Sequence, residues 1–221
     1  MTGTECSGPV LFFDIDNCLY APNQELIALT KSRIYEFAVS AGLSPETVVE
    51  TCNTYFNDYG LTVRGLIKHH AVDPSSFNEK VDDSLPLQSF IKPDMELRKM
   101  LQAVNIRRWA FTNAGVAHAR RVLGCLGVED LFDGITYCDY TEPSFPCKPE
   151  RAAYERAMLE AGVSDPQMCY FVDDSLRNVE AAAELGWTAV EVSPTQRTAL
   201  HIQRIHELPS VLPQLFNKAA A

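Results

Sequence analysis

The sequence of 221 residues lacks several features that define specialised classes of protein. No apolar run approaches the roughly 20 residues that a membrane-spanning helix requires. The polar stretch from Met1 to Gly8 lacks the basic and then apolar pattern of a secretion signal. No internal repeat or low-complexity tract is present, which disfavours a solenoid or a fibre. We therefore expect a globular protein that is neither secreted nor bound to a membrane.

The sequence is also poor in positive charge. It has 19 Lys and Arg residues against 29 Asp and Glu residues, and a formal net charge of −10. Because proteins that bind nucleic acid polymers draw much of their affinity from clustered Lys and Arg, we expect no such partner. A small anionic ligand is compatible with this charge if a metal ion or a few cations offset the acids locally.

C-x-x-C spacing is absent from the seven cysteines, and most of them stand within apolar segments. Their odd number and scattered positions do not suggest a disulfide framework. We interpret them as reduced thiols, at positions 6, 18, 52, 125, 138, 147 and 169. A cytoplasmic protein is the corresponding prediction, and a nuclear location is left open.

Two patterns divide the chain. Between residues 21 and 92, apolar residues recur at helical spacing and no convincing strand appears. From Pro93 onward, predicted helices alternate with short apolar strands, which is typical of a parallel, doubly wound sheet. We therefore predict an α/β fold in which residues 1–20 and 93–221 form a sheet domain and residues 21–92 form an inserted, all-helical domain.

Local signals set the expected boundaries of the elements. Strands are predicted over residues 9–13, 107–111, 135–137, 169–172 and 189–192. Ser or Asp caps and terminal glycines delimit several of the predicted helices, which span 23–41, 44–58, 61–71, 73–81, 94–104, 115–126, 150–161 and 176–185. Beyond Val192 the mixed periodicity and the prolines predict only a terminal helix.

Two pairs of acidic residues follow buried strands of the predicted sheet. Asp14 and Asp16 come after the first strand, and Asp173 and Asp174 end the fourth. Adjacent carboxylates at the end of a buried strand repel one another, and a cation such as magnesium, which prefers oxygen ligands, relieves that repulsion. Taken alone, the first pair is also typical of solvated loop acids, and Asp174 or Ser175 is a candidate helix cap.

Two further signals suit a phosphate group. Thr112 and Asn113 follow the second strand and offer a hydroxyl and an amide at the start of a helix, where backbone N–H groups bind phosphate oxygens. Lys148 can neutralise both a phosphate and an ionised Asp. The alternatives are helix capping by Thr112 or Asn113 and an ordinary exposed lysine. Because open α/β sheets bind ligands at the carboxyl ends of their strands, the coincidence of all four signals there predicts a ligand site.

The order of these signals resembles the four motifs of the haloacid dehalogenase-like hydrolase superfamily. The matching stretches are FDIDN at 13–17, FTN at 111–113, CKP at 147–149 and VDDS at 172–175. Four longer stretches are similar to the pyrimidine 5′-nucleotidase branch of fungi and plants, at 14–20, 59–66, 81–87 and 131–140. Most superfamily members have Gly-Thr where this chain has Asn17-Cys18, and that branch shares the departure.

The resemblance implies a magnesium-dependent phosphomonoester hydrolase with a Rossmann-like core. Asp14 would be the nucleophile that forms an aspartyl-phosphate, and Asp16 the general acid and base. Phosphate binding is implied for Thr112, Asn113 and Lys148. Mg²⁺ binding is implied for Asp14, the backbone carbonyl of Asp16, Asp173 and Asp174. The implied partner is a small phosphate monoester, UMP or CMP in that branch.

The insert matches the helical cap of the superfamily, which closes over the site and recognises the leaving group. Tyr59 and Arg64 are its candidate readers of a pyrimidine base. Tyr55, Phe56 and the His69-His70 pair are further candidates. The alternative for each is a place in the core of the insert, which is the commoner role of aromatic residues at helical spacing.

Other activities share parts of this constellation. A haloalkanoate dehalogenase has the same nucleophile but needs neither metal nor leaving-group protonation, so Asp16 and the acids at 173–174 argue against it. A phosphatase for sugar phosphate, phosphoglycolate or lysophosphatidate, or a phosphomutase, would carry the same four motifs. A non-catalytic regulator would be expected to lack at least one motif residue, and none is missing. The oligomeric state and the role of residues 193–221 stay open.

Overall fold

A six-stranded parallel sheet organises the computed structural model, which describes residues 8–142 and 144–217. Its strands stand in the order β3-β2-β1-β4-β5-β6, and every neighbouring pair is parallel. The strands are β1 (Val10–Phe13), β2 (Arg107–Phe111), β3 (Gly134–Thr136), β4 (Cys169–Asp173), β5 (Thr188–Val192) and β6 (His201–Ile202). This arrangement confirms the predicted α/β, doubly wound fold.

Helices connect the strands and fill the segment between β1 and β2. In chain order the α-helices are α1 (Gln24–Ser40), α2 (Val48–Tyr59), α3 (Thr62–His70), α4 (Pro74–Phe77), α5 (Leu87–Phe90), α6 (Met95–Ala103), α7 (Val116–Leu126), α8 (Arg151–Ala161), α9 (Leu176–Glu184) and α10 (Leu208–Val211). The described part of the chain contains no helix that combines the length and the apolar character needed to cross a bilayer.

The central strand β1 is buried on both sides. Its side chains alternate between the two faces of the sheet, so that Leu11 and Phe13 join the cluster formed with α6 and α7, while Phe12 joins the cluster formed with α8. All of its residues are fully buried, which explains why the strand reads as one continuous apolar run. The end of this run delivers Asp14 to the edge of the sheet.

The second helix begins later than predicted. The sequence predicts a start at Ser44, but α2 starts at Val48, because the Ser44 carbonyl accepts a hydrogen bond from the Thr47 N–H (3.1 Å) in a separate turn. The Ser44 hydroxyl also accepts one from the Glu46 N–H (3.3 Å), a local contact that competes with helix formation. The predicted end is confirmed, since Gly60 caps the helix with a φ of 76°.

The helix predicted over 73–81 is divided. Asp73 caps it as expected and accepts hydrogen bonds from two backbone N–H groups, but α4 ends at Phe77. A single π-helical turn follows over Asn78–Asp82, closed by the Asp83 N–H on the Asn78 carbonyl at 2.8 Å. Single π turns are rare and frequently lie at functional sites. This turn places Asp82 beside the site described below.

The C-terminal segment was predicted wrongly as containing only a helix. The strand β6 pairs in parallel with β5, with His201 opposite Glu191. A strand of two residues is too short to produce a periodic signal in the sequence. The segment after it contains α10, and a bridge between Val104 and Phe216 ties its end to the sheet domain.

Apolar contacts connect the insert with the sheet domain. Leu85, Leu87 and Ile91 belong to the same buried cluster as Leu11 and Phe13 of β1. A second cluster joins Phe37, Val63, Leu66, Phe77 and Val81 of the insert to the loop after β3, through Cys138, Tyr140, Phe145 and Cys147. The cysteines of the described residues are free thiols, and Cys6 lies outside those residues.

Candidate active site

The carboxyl ends of β1, β2 and β4 meet at one edge of the sheet. Phe13 pairs with Ala110 on one side and with Val172 on the other, and the Asp14 N–H donates to the Val172 carbonyl at 2.9 Å. Asp14 and Asp173 therefore leave neighbouring strands at the same level. Both are buried, Asp173 completely.

Lys148 joins these two acids. Its Nζ lies 2.7 Å from Asp14 Oδ1, 2.7 Å from Asp173 Oδ2 and 2.7 Å from the Phe111 carbonyl oxygen. The side chain is 1% exposed, so the three hydrogens of its ammonium group all have protein acceptors. Burial alone would lower the pKa of Lys148, but the two carboxylates outweigh it and raise that pKa, so the lysine stays charged.

Asn113 holds the backbone of Lys148 in place. Its Nδ2 donates to the Lys148 carbonyl at 2.8 Å, and its Oδ1 accepts from the Lys148 N–H at 2.7 Å. The predicted phosphate-binding amide of Asn113 is thus engaged at both ends with the chain. Thr112 is also buried, and its Oγ1 accepts from the Ala114 N–H at 3.0 Å, which leaves the hydroxyl hydrogen to donate.

Protein donors already surround the carboxylate of Asp173. Its Oδ1 accepts from the Ser175 N–H at 2.8 Å, and Asn178 Nδ2 lies 3.1 Å from each of its oxygens. With Lys148 as a further donor, the Asp173 carboxyl group is held in a fixed orientation at the centre of the site. Asn178 stands in α9, one turn beyond the acids.

Asp14, Asp173 and Asp174 form a group that could hold a metal ion, because one oxygen of each lies within 4.8 Å of the others. Burial and the charge of Asp173 raise the pKa of Asp174 to about 7. Burial, together with Asp173 and Asp174, likewise raises the pKa of Asp14, while Lys148 opposes that shift. Crowded oxygen ligands whose ionisation is suppressed fit a hard divalent cation, which would stabilise their charged forms.

Asp16 makes a second group of contacts, separate from Lys148. Tyr20 donates from its hydroxyl to Asp16 Oδ1 at 2.8 Å, and His118 Nε2 lies 2.9 Å from Oδ1 and 3.1 Å from Oδ2. Burial would raise the pKa of Asp16, but the imidazole and the tyrosine hydroxyl outweigh it and lower that pKa. In return Asp16 overcomes the effect of burial on His118 and raises its pKa to about 9.

The sequence analysis did not single out Tyr20 or His118. Tyr20 follows Asp16 by four residues and stands in the stretch that resembles the nucleotidase branch. His118 is separated from Asp16 by 102 positions and nothing near it in the sequence indicates a role. It lies in the first turn of α7, the helix that follows Thr112 and Asn113 in the sequence.

The loop after Asp16 explains the departure from Gly-Thr. Asn17 has a φ of 61°, in the left-handed region that Gly and Asn tolerate best among the residues. Asn can therefore stand where most of the superfamily has Gly. Cys18 is buried and its thiol donates to the Val172 carbonyl at 3.6 Å, so it packs the loop against β4.

Arg64, a predicted base reader, bridges the insert and the sheet domain. Its Nη1 lies 2.6 Å from Glu150 Oε1, 3.1 Å from the Tyr59 carbonyl and 3.2 Å from Cys147 Sγ, and its guanidinium stands over the Phe145 ring. The group is therefore bound next to Lys148 and is not free in this arrangement. Base reading by Arg64 stays a prediction.

The aromatic candidates of the insert pair with its two histidines. The Tyr59 hydroxyl lies 2.8 Å from His69 Nε2, and the Tyr55 hydroxyl lies 2.8 Å from His70 Nε2. Phe56 is 54% exposed. The two tyrosine–histidine hydrogen bonds connect α2 with α3. A role of these aromatic residues and histidines as readers of a leaving group stays a prediction.

Comparisons with known proteins identify the family of the chain. The sequence profile of haloacid dehalogenase-like hydrolases matches residues 9–186, which include all the clustered side chains described above. Phosphate metabolism protein 8 of Saccharomyces cerevisiae is 38% identical over 191 aligned residues, covering 80% of this chain and 59% of that protein. The chain thus spans less than two thirds of that relative's length.

Solved structures share the fold. L-2-haloacid dehalogenase from Xanthobacter autotrophicus superposes with a TM-score of 0.60 at 11% identity, covering 97% of this chain and 100% of that one. A haloacid dehalogenase-like family hydrolase from Xanthomonas campestris gives 0.61 at 14%, covering 98% and 95%. YfnB from Bacillus subtilis, solved with magnesium bound, gives 0.59 at 17%, covering 93% and 99%. Because the family profile spans most of the sequence, the chain belongs to the haloacid dehalogenase-like hydrolases.

Proposed function

We propose that this hydrolase is a magnesium-dependent phosphatase of small phosphate monoesters, with Asp14 as nucleophile. The observation that carries the proposal is the contact of Lys148 with both Asp14 and Asp173 beside Asp174. Such a group combines a carboxylate nucleophile, a cation for the phosphoryl oxygens and acids for a metal ion. Displacement of a halide would need neither the metal acids nor Asp16.

In the first step a carboxylate oxygen of Asp14 attacks the phosphorus atom of the ester. The new bond makes an aspartyl-phosphate, and the bond from phosphorus to the leaving oxygen breaks. In the free site His118 lowers the pKa of Asp16, but a phosphate dianion beside the carboxylate raises that pKa again, because a like charge disfavours the ionised form. Asp16, two residues further along the chain, can then give a proton to the leaving oxygen, so that the alcohol departs neutral. Thr112 binds a transferring phosphoryl oxygen with its hydroxyl, and Lys148 binds another by exchanging one of its three protein acceptors for that oxygen.

In the second step a water molecule attacks the phosphorus atom of the aspartyl-phosphate. Asp16 takes a proton from this water, and the bond between phosphorus and the Asp14 oxygen breaks. Inorganic phosphate is released, Asp14 is again a carboxylate, and Asp16 again carries its proton. Dividing the hydrolysis in this way replaces one difficult step by two easier ones.

The residues proposed to hold Mg²⁺ are Asp14, Asp174 and the backbone carbonyl of Asp16, with Asp173 in contact directly or through water. A bound Mg²⁺ supplies positive charge that offsets the repulsion between the phosphate dianion and the carboxylates. The protein itself orients the carboxylate and carbonyl oxygens that would hold the ion. Asn113 contributes by fixing the backbone of Lys148.

We further propose that residues 21–92 are a cap that closes over the site and recognises the leaving group. The π turn Asn78–Asp82 supports this, because Asp82 interacts electrostatically with His118 and Asp16 at the site. The substrates proposed are UMP and CMP, on the resemblance of four stretches to pyrimidine 5′-nucleotidases. The free thiols of the described residues support a reducing compartment, the cytoplasm.

A second substrate class deserves equal testing, namely other small phosphate esters such as sugar phosphates, phosphoglycolate or lysophosphatidate. The observation in its favour is the engagement of Arg64 with Glu150 and of Tyr59 with His69, which occupies both candidate base readers. The name of the yeast relative refers to phosphate metabolism and specifies no ester.

The deciding experiment is a panel of kcat/KM values for the purified enzyme with Mg²⁺, over UMP, CMP, AMP, GMP, a sugar phosphate, phosphoglycolate and lysophosphatidate. Preference for UMP and CMP supports base recognition, and a hydrogen-bonded reader can supply several powers of ten. If another ester is an equal or better substrate, the nucleotidase proposal fails while the phosphatase proposal stands. Full turnover in excess chelator would refute the metal assignment, and no turnover of any ester would refute both.

A further inference from the structure

The proposed mechanism does not use the contact between His118 and Asp16. We propose that His118 is a positioning residue for the acid and base Asp16: its Nε2 hydrogen orients the Asp16 carboxylate toward the leaving oxygen. The inference rests on the proposed function, since it gives a task to His118 only if Asp16 transfers the proton. His118 itself touches neither substrate nor metal in this scheme.

The geometry singles out one end of the imidazole ring. Nε2 lies within hydrogen-bond distance of both oxygens of Asp16, at 2.9 Å and 3.1 Å. Nδ1 is buried and has no hydrogen-bond partner among the described residues. The ring, 9% exposed, thus makes its hydrogen bonds only with Asp16 within the described chain. A buried nitrogen without a partner is costly, which favours a specific use for the other nitrogen.

The Asp16 carboxylate needs such a restraint. It must present one oxygen first to the leaving group and then to the attacking water. Tyr20 alone binds a single oxygen, Oδ1, about which the carboxylate can turn. The second donor, reaching both Oδ1 and Oδ2, fixes the plane of the group. Displacement of a catalytic group by about 1 Å can cost a factor of roughly 10² in rate.

The helix that carries His118 is itself anchored. One turn further along α7, Arg121 donates to the Asp82 carbonyl at 3.0 Å and to the Leu85 carbonyl at 2.6 Å. These contacts fix the start of α7 against the end of the insert. His118 is consequently presented to Asp16 from a rigid support, which suits a positioning role.

A pair of matched variants tests the inference. Gln at position 118 can place an amide N–H close to the present Nε2, whereas Asn places its amide near Nδ1 and cannot reach Asp16. The readout is kcat/KM, which reports the steps up to phosphoryl transfer, for UMP or the best alkyl phosphate of the panel and for p-nitrophenyl phosphate. The nitrophenolate leaves without protonation, so its kcat/KM is less sensitive to Asp16.

We expect His118→Asn to lower kcat/KM for the alkyl phosphate by roughly 10–100-fold and for p-nitrophenyl phosphate by less than about threefold. His118→Gln should recover most of the alkyl phosphate activity. In an Asp16→Asn background, His118→Asn should have almost no further effect, because the two act as a unit. His206→Asn is the control, since His206 makes a similar contact with Asp94 (3.0 Å) away from the site and should change neither substrate selectively.

If the wild-type enzyme is an active phosphatase, three results would overturn the inference. His118→Asn could lower kcat/KM equally for both substrates, it could lower kcat/KM for neither, or His118→Gln and His118→Asn could have the same activity. Lowered thermal stability with unchanged leaving-group dependence would identify His118 as purely structural. A wild-type enzyme that hydrolyses no phosphate ester would refute the proposed function first, and this inference with it.

Discussion

Replacing Lys148 by Met should reveal how much the fold depends on the charge cluster at its active site. Met keeps most of the volume of the buried side chain but removes the ammonium group. Asp14 and Asp173 then lose a donor at 2.7 Å each, inside a site where Lys148 is 1% exposed. Removing one partner of a buried ion pair costs about 3–5 kcal/mol, because the remaining charge is left uncompensated.

For a chain of this size that loss corresponds to a decrease in Tm of roughly 6–20 °C, at about 2–4 °C per kcal/mol. The assay is urea and thermal unfolding at pH 8 in the presence of a chelator. Lys99→Met is the control, since Lys99 is exposed on α6, and a surface substitution of this kind usually changes stability by less than about 0.5 kcal/mol.

The pH dependence of the loss identifies its cause. Burial raises the pKa of Asp14, and Lys148→Met removes the lysine that opposes this shift, so the folded pKa of Asp14 lies further above its unfolded value of about 4. Its ionisation therefore costs stability at neutral pH, and the cost fades as the pH falls toward about 4 and the carboxyl group is protonated. The difference between wild type and Lys148→Met should accordingly be largest at pH 8 and clearly smaller at pH 5.

Asp14→Asn in the Lys148→Met background should restore part of the loss at pH 8, because it removes one of the two uncompensated charges. Mg²⁺ should stabilise Lys148→Met more than the wild type, since it supplies the missing positive charge. A loss below about 1 kcal/mol at pH 8, or one of the same size at pH 5, would refute the reasoning.

Four further outcomes are expected. Mg²⁺ is expected to raise the Tm of the wild type, and Asp174→Asn should abolish that rise in a thermal-shift assay, because a proposed metal ligand is lost. Asp14→Asn should remove turnover on every ester while circular dichroism shows a folded chain. The His118–Asp16 pair stabilises the fold fully between about pH 4 and pH 6.5, the ordinary pKa values of Asp and His, and its contribution disappears as the pH rises through about 9. The stability difference from His118→Gln should therefore shrink between about pH 6.5 and pH 9. Burial raises the pKa of Asp82 to about 6, so its ionisation costs stability above that pH, and Asp82→Asn should be more stable than wild type at pH 8 but not at pH 4.

Several elements around the sheet were predictable because they carry strong local signals. The strand β2 starts and ends at the residues predicted, and α7 ends at Leu126 where Gly127, with a φ of 73°, caps it. Continuous apolar runs and terminal glycines are sufficient for such elements. The strand β6 has neither a continuous apolar run nor a terminal glycine. It forms because His201 and Ile202 pair with β5, and the residues near them in sequence give no sign of that pairing.

The acids and the lysine of the site were predictable for a topological reason. Parallel strands bring their carboxyl ends to one edge, so Asp14 and Asp173 had to meet there once the strands were recognised. His118 was not predictable in this way, because it reaches Asp16 from a helix whose rotation about its axis the sequence does not specify. The amide of Asn113 was expected to face phosphate, but its position is determined by the return of the chain at Lys148.

The turn between α2 and α3 contacts the loop that carries Lys148. Gly60, between α2 and α3, lies so close to this loop that a Cβ atom there would stand 3.0 Å from the Lys148 carbonyl oxygen, and its φ of 76° also favours Gly. Arg64 binds Glu150 two residues beyond Lys148. The same carbonyl of Lys148 accepts from Asn113, and the Lys148 ammonium group donates to Asp14, so the α2–α3 turn packs against the residue that holds Asp14. The proposed reading of a leaving group by Arg64 would therefore be coupled to the contacts that this side chain makes beside Lys148.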